Sequence, residues 1–329
     1  MVKTLIFIVT ALIVAAVFSM NLANNDKAKP HKETRDFEFS YKVKIPSLPE
    51  DSKTVDVFVP LPKNDNTQRI SDLKIISNVN YSIEKDPEYH NKILHVNLDK
   101  KLPSSLDIQV NFHVERKLDS ENSYSKDTRL LNRFLMPDSL VPIKGIVKKE
   151  AKEVVKTDNI SEFDKAKLLY NHVVDTMVYD KKSTTGWGRG DVLYACDART
   201  GNCTDFHSLF IGLSRAEKIP SRFVIGFPIP ENKKEGKIPG YHCWAEFYTN
   251  DKGWVPIDAS EAFKHPDRRK FYFGALDPNR VAFTIGRDIP LKTGDGKIKK
   301  VNYLVYPYVF VNDKKYDNVK AEFYFKDIE

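Results

Sequence analysis

The chain changes the period of its apolar residues part-way along, and that change restricts which folds are open to it. From Asp36 the period is two: Phe37, Phe39, Tyr41, Val43 and Ile45 alternate with polar residues. The same alternation runs through Val55, Val57 and Val59, and through Leu106, Ile108, Val110, Phe112 and Val114. The turn-rich pieces LPEDS, LPKNDN and KLPSS lie between these runs. Strands buried on one face and joined by short turns pair antiparallel, because parallel pairing needs long crossovers and covers both faces. Residues 36–118 are therefore predicted to form an antiparallel β-sandwich domain. At Ser161 the period turns helical, with Phe163, Ala166, Leu169, Val173 and Met177 on one stripe. Ser161 is its N-cap and Asp164 sits in the capping-box position. Val178 to Cys196 is rich in Gly and polar residues and reads as a loop. Strands return at 221–227, 242–248, 253–258 and 303–311. Helices followed by strands make the second half α+β rather than doubly wound.

The ends of the chain differ from its middle. Lys3 precedes an apolar run from Leu5 to Phe18, broken only by Thr10. This is the layout of a signal peptide over residues 1–22, with an uncleaved anchor as the alternative. Either places the rest of the chain outside the cytoplasm, periplasmic or extracellular, and membrane contact is expected only through this segment if it stays uncleaved. Residues 23–35 are polar and aperiodic, a linker. The net charge of +7 is spread over scattered lysines, and no basic stripe or aromatic–basic motif points to nucleic acid.

Three cysteines remain in this exported chain: Cys196, Cys203 and Cys243. Pairing is the norm outside the cytoplasm, and an odd number leaves at least one thiol free. In TGNCTDFHSLF, Gly201 permits a tight turn, Asn202 is a favoured N-cap and Asp205 suits the first helical turn. Phe206, Leu209, Phe210, Leu213 and Ala216 then form one apolar stripe, and the helix ends before Pro220. Cys203 thus falls at the first helical position, where free N–H groups and the helix dipole favour a thiolate and could also donate to an oxyanion. A lone Cys there is just as compatible with a small buried residue, so reactivity requires a base and a group to orient it.

The hairpin YHCWAEFYTNDKGWVPIDAS supplies both. His242, Trp244, Glu246 and Tyr248 share one strand face, and the turn brings Trp254, Pro256 and Asp258 back on one face. If Tyr248 pairs with Trp254, Asp258 is diagonal to His242; a two-residue slip puts them opposite. Both registers bring the two side chains within reach, and a carboxylate there fixes the imidazole tautomer.

Taken together, GNCTDFHSLF, YHCWAEFY and GWVPIDAS resemble, in order and spacing, the signature segments of the transglutaminase-like superfamily, in a branch of exported bacterial proteins. The resemblance covers about residues 145–290 and implies a papain-like α+β domain there. Residues 119–144 then connect it to the sandwich, and 291–329 form a C-terminal β extension. It implies Cys203 as nucleophile, His242 as general base and acid, and Asp258 as the orienting carboxylate. By the same resemblance Trp187 is a candidate oxyanion donor through its indole N–H; the alternative is an aromatic that pins a Gly-rich loop. The implied activity is that of a cysteine peptidase, amidase or transamidase working through a thioester on a protein, peptide or cell-wall peptide. No metal or organic cofactor is expected, and without a calcium-type acidic loop hydrolysis is favoured over transamidation. The contrasting class is a catalytically silent binding or envelope-assembly module.

The same residues have rival uses. His207, four residues after Cys203, could compete as base but has no carboxylate partner beyond Asp205. A zinc site from Cys196, Cys203, His207, His242 and Cys243 fails on spacing, since His242 and Cys243 point to opposite strand faces. With Cys203 free, Cys196–Cys243 is the one disulfide available, and two buried thiols are preferred to it. Arg280 and Arg287 are read as internal Arg–Asp pairs, and Pro228 to Gly240 as a solvated connection rather than a lid.

Overall fold

The structure, a computed structural model, describes residues 33–100, 102–157, 159–180 and 185–328. The expected signal segment and all but the last residues of the linker lie outside the described residues. Residues Glu33–Glu329 form one compact unit. Its first six strands are β1 (Thr34–Ile45), β2 (Val55–Pro60), β3 (Gln68–Ser77), β4 (Ser82–Lys85), β5 (Lys92–Leu98) and β6 (Leu106–Lys117). Then come α1 (Ile146–Val154), α2 (Glu162–Thr176), β7 (Val178–Tyr179), α3 (Val192–Ala198), β8 (Thr200–Gly201) and α4 (Cys203–Ala216). The central strands are β9 (Ser221–Pro228), β10 (Glu235–Ile238), β11 (His242–Thr249) and β12 (Gly253–Ile257), followed by α5 (Ala259–Lys264) and β13 (Arg280–Ile285). The chain ends with β14 (Ile289–Lys292), β15 (Ile298–Val301), β16 (Tyr308–Val311), β17 (Lys314–Lys315) and β18 (Lys320–Asp327).

The fold is α+β, with a strand-rich N-terminal region and antiparallel sheets. The alternation of β1 is fully expressed: Phe37, Phe39, Tyr41, Val43 and Ile45 are buried, and the residues between them are not. The strands do not sort in chain order, however. One five-stranded sheet runs β10–β18–β1–β6–β3 and another β17–β16–β2–β5–β4. The C-terminal residues 291–329 thus do not extend the fold outward; β18 lies between β1 and β10, and β16 lies against β2. The segment before His242 is also not a free connection, because β10 joins the edge of the first sheet.

A four-stranded sheet runs β12–β11–β9–β13, and α4 packs against it. Every residue of α4 from Cys203 to Arg215 is buried, a wider coverage than a single stripe predicts. The reason is that α1, α2 and α3 pack around α4 while β11 and β9 lie beneath it. The N-terminal strands reach this sheet through an aromatic cluster: Phe39 lies 5.5 Å from Phe227 and 5.7 Å from Phe283, and Tyr41 lies 6.2 Å from Phe227, between ring centroids.

Two expectations from periodicity need correction. The stretch read as a loop contains α3, whose cap Asp191 accepts from the N–H groups of Leu193 and Tyr194. Only Tyr308–Val311 of the 303–311 run is strand. Pro307 has no N–H for a ladder, and Tyr303 and Tyr306 turn instead toward Tyr241, with centroids 5.8 Å away in both cases.

Candidate active site

The helix start that carries Cys203 is built from short polar side chains. The Asn202 side chain accepts from Thr204 N–H at 2.8 Å, and its backbone carbonyl accepts from the N–H groups of Asp205 and Phe206. The Cys203 N–H is left as the first-turn donor that Asn202 does not engage, at the positive end of the helix dipole. Asp205 closes the capping box by accepting from Asn202 N–H at 3.0 Å. It does more than start the helix: its two oxygens also accept from Gly188 N–H at 2.8 Å and Gly190 N–H at 2.9 Å. The Gly-rich loop is thereby clasped to the helix start. Gly201 is required for this clasp rather than for a turn, since a Cβ there would lie 2.3 Å from an Asp205 oxygen.

His242 opens β11, and Asp258 follows directly on β12 as the N-cap of α5. Tyr248 pairs with Trp254, so Asp258 lies diagonal to His242, the first of the two registers considered above. The diagonal is bridged by a 2.7 Å contact from His242 Nε2 to Asp258 Oδ2. With Nε2 committed to the carboxylate, Nδ1 is the nitrogen available to a proton acceptor or donor. Asp258 is fully buried and held from several sides: Ser260 Oγ and Glu261 N–H donate to Oδ1, both at 3.0 Å, and Arg280 donates to Oδ2 at 3.0 Å.

Cys203, His242 and Asp258 are therefore brought together, and their electrostatics follow from contact and burial. Burial pushes the Asp258 carboxyl up, but the charge of His242, with Arg280 in support, holds it well below the usual carboxylate range. Burial likewise opposes the His242 imidazolium, and Asp258 and Cys203 outweigh it, raising that group to about 10. The Cys203 thiol is lowered well below its ordinary value, first by the Cys243 thiol beside it and then by His242, against the effect of burial. The constellation favours a thiolate–imidazolium pair over two neutral groups.

His207 lies close by, with its ring centroid 6.5 Å from that of His242. Its Nε2 accepts from Ala259 N–H at 3.1 Å, which places the ring proton on Nδ1, 3.7 Å from Cys243 Sγ. The same Nε2 is 3.4 Å from Asp258 Oδ1, but a nitrogen that accepts an N–H has no proton for the carboxylate. His207 is thus a buried spacer whose two nitrogens are both occupied. Trp187 does not face the site as an oxyanion donor, because its indole N–H donates to the Asp180 carbonyl at 3.0 Å. It pins the Gly-rich loop, the alternative considered for it.

The three cysteines are free and buried. Burial and the Glu150 carboxylate push the Cys196 thiol up to about 12, while Cys243 packs against Thr204, His207 and Cys203. Sequence reasoning weighed Cys243 only as a metal ligand, a disulfide partner or a buried thiol and passed over Tyr241, yet both border the site. The Tyr241 hydroxyl accepts from Asn202 Nδ2 at 3.1 Å and lies 2.8 Å from Thr204 Oγ1. Their adjacency to His242 in sequence is the signal that could have found them. Arg280 is an internal Arg–Asp pair as expected, bonded to Asp277 at 3.2 Å, but it also grips Asp258. Arg287 holds carbonyls instead, donating to Arg189 O at 3.0 Å and to Gly190 O. Among the described residues, no group of three or more His, Cys, Asp or Glu side chains is placed to hold a metal ion.

Residues 148–259, which contain all three residues of the constellation, match the model of the transglutaminase-like superfamily. An uncharacterised protein of Haemophilus influenzae is 26% identical over 92% of this chain and 93% of its own length. The uncharacterised YebA of Bacillus subtilis is 27% identical over 33% of this chain and 17% of its own. A solved structure described as a candidate cysteine protease from Cytophaga hutchinsonii superposes with a TM-score of 0.56 at 15% identity, covering 91% of this chain and 99% of that one. At that identity the likeness is one of fold.

Proposed function

We propose that this chain, a member of the transglutaminase-like superfamily through residues 148–259, is an exported cysteine-nucleophile enzyme that cleaves or transfers amide acyl groups through a thioester on Cys203. The observation that carries the reading is the 2.7 Å contact of His242 Nε2 with Asp258, made beside a thiol at a helix start. In the proposed reaction the Cys203 sulfur forms a bond to the amide carbonyl carbon, and the Cys203 N–H donates to the developing oxyanion. His242 gives the proton from Nδ1 to the leaving amine as the C–N bond breaks. Water, deprotonated by His242, then adds to the thioester carbonyl and releases the acid; an amine in its place gives transamidation. Asp258, held by Arg280, keeps Nε2 protonated and stabilises the imidazolium throughout. Hydrolysis of a protein, peptide or cell-wall peptide outside the cytoplasm is the first reading, consistent with the signal-like start of the sequence.

A single-turnover acylation tests this. On mixing with p-nitrophenyl acetate, intact mass spectrometry should find one acetyl group, located on the peptide that holds Cys203, and Cys203→Ala should take up none. Equal acetylation of the variant would defeat the reading. A silent binding module is the second reading, favoured by one observation: Cys203 is only 3% exposed and His242 only 7%. It predicts a thiol that resists acylation even when the protein is intact.

A further inference from the structure

On the far side of β11 from α4, the N-terminal region and the central sheet enclose a cavity of about 670 Å³, within the size range of small-molecule sites. Its wall includes Lys63, Arg116, Arg222, Trp244 and Glu246. Arg222 and Glu246 satisfy each other, and Arg222 also stacks on Trp254 at 4.1 Å. Arg116 is different. It is 2% exposed, and its nearest carboxylates, Asp65 at 3.7 Å and Asp119 at 4.0 Å, lie beyond hydrogen-bond distance. Its Nε and Nη1 have no acceptor among the described residues, and neither does the indole N–H of Trp244, a residue 1% exposed.

Leaving a buried donor unmatched is costly, and a guanidinium more so than an amide. Every unmatched buried side-chain atom on this wall, among the described residues, is a donor and none is an acceptor. Lys63 is a further nitrogen donor on this wall, and burial, with Arg222 close by, lowers its ammonium below the ordinary lysine range. Burial also pushes Asp119 up to about 7, so its opposing charge is only partial near neutrality. Val224, Phe283 and Ile285 give the wall an apolar stretch beside these donors.

We propose that this cavity binds a small organic oxyanion, a carboxylate or phosphate on a flat apolar body, with the acid on Arg116 and Trp244 and the body along Val224, Phe283 and Ile285. The site is separate from Cys203 and takes no part in acyl transfer. Titration calorimetry of the full chain with benzoate and with phenyl phosphate tests it, with benzamide as the uncharged control. At least one of the two anions should bind saturably at one site, benzamide should bind at least tenfold more weakly, and Arg116→Gln and Trp244→Phe should each weaken the anion at least fivefold. If Arg116→Gln does not fold, Trp244→Phe and Lys63→Gln decide. Binding of neither anion, equal binding of benzamide, or variants that bind like the parent would overturn the proposal. Alkylation of Cys203 by iodoacetamide in the parent and in Arg116→Gln reads the catalytic proposal separately, since Arg116 touches none of its residues, whereas Trp244 lies under Arg280, which holds Asp258.

Discussion

At the scale of single residues, the proposed chemistry rests on Asp258, a buried carboxylate with four neighbours that donate or carry positive charge. Arg280 is the one that can be removed without touching the nucleophile or its base. Its loss leaves a buried negative charge with one fewer partner and leaves Asp277 without its ion pair. Arg280→Met is expected to cost about 3–5 kcal/mol, read as a lower urea midpoint with an unchanged slope. His242 sets the sign of the alkaline response. Its folded-state value is raised from 6.5 to about 10, so its contribution is fully present below pH 6.5 and declines until it is lost above pH 10. The lowered Cys203 thiol gains with pH up to the ordinary thiol range while His242 loses, so the two offset near neutrality, and His242→Gln should flatten the fall in stability that remains between about pH 8.5 and pH 10. Cys203, His242 and Asp258 were legible in the sequence because each sits at a position with a stated physical role: helix start, strand start, returning strand. For Trp187 two roles stayed open, because sequence spacing says nothing about which carbonyl an indole N–H will find. Asp205 was half-read, since its capping role is local while its grip on Gly188 and Gly190 depends on where the loop folds back.

At the scale of elements, Glu150 on α1 joins three helices. It accepts from His172 of α2 at 2.7 Å and from Arg199, the residue that ends α3, at 2.6 and 2.9 Å. Burial pushes this carboxyl up, but His172 and Arg199 lower it from 4.5 to about 2. Its stabilising contribution is present above pH 4.5 and lost as the pH falls toward 2. Thermal melts across that range should show Glu150→Gln to be less stable than the parent at pH 6, with the difference shrinking on acidification. Neither α1 nor α3 was legible beforehand. Both are short, seven to nine residues, too few turns to announce a helix on their own, and gain their stability from packing on α4. By contrast β1 and β6 were read directly, because one buried face imposes a strict period of two, and β9 and β11, buried on both faces, were read as short apolar runs.

At the scale of the whole molecule, chain order hides how the parts are assembled. β18 is hydrogen-bonded on both sides, to β1 and to β10, and Arg35 ties its end through Asp327 at 3.0 Å. No local pattern distinguishes a strand that adds a layer from one that inserts into an earlier sheet, which is why residues 291–329 looked like an appendage. Deleting residues 320–329 should expose two strand edges and give aggregated rather than soluble protein, judged by size-exclusion chromatography. The aromatic cluster of Phe39, Phe227, Phe283 and Phe323 joins the N-terminal strands to the central sheet. Residues 33–329 are accordingly expected to unfold in one calorimetric transition, and Phe227→Ala to shift that whole transition by about 3–5 kcal/mol. Two resolved transitions would mean that the halves fold independently.

The central claim is that Cys203 is a nucleophile poised by His242, and the rate of its alkylation by iodoacetamide as a function of pH measures that directly. The thiolate should persist well below the ordinary cysteine range, giving a nearly flat rate through neutral pH in the parent protein. In His242→Ala the profile should move up toward that of an unperturbed thiol, near about 8.5. A parent profile that already titrates as an ordinary thiol, and that His242→Ala leaves unchanged, would contradict it.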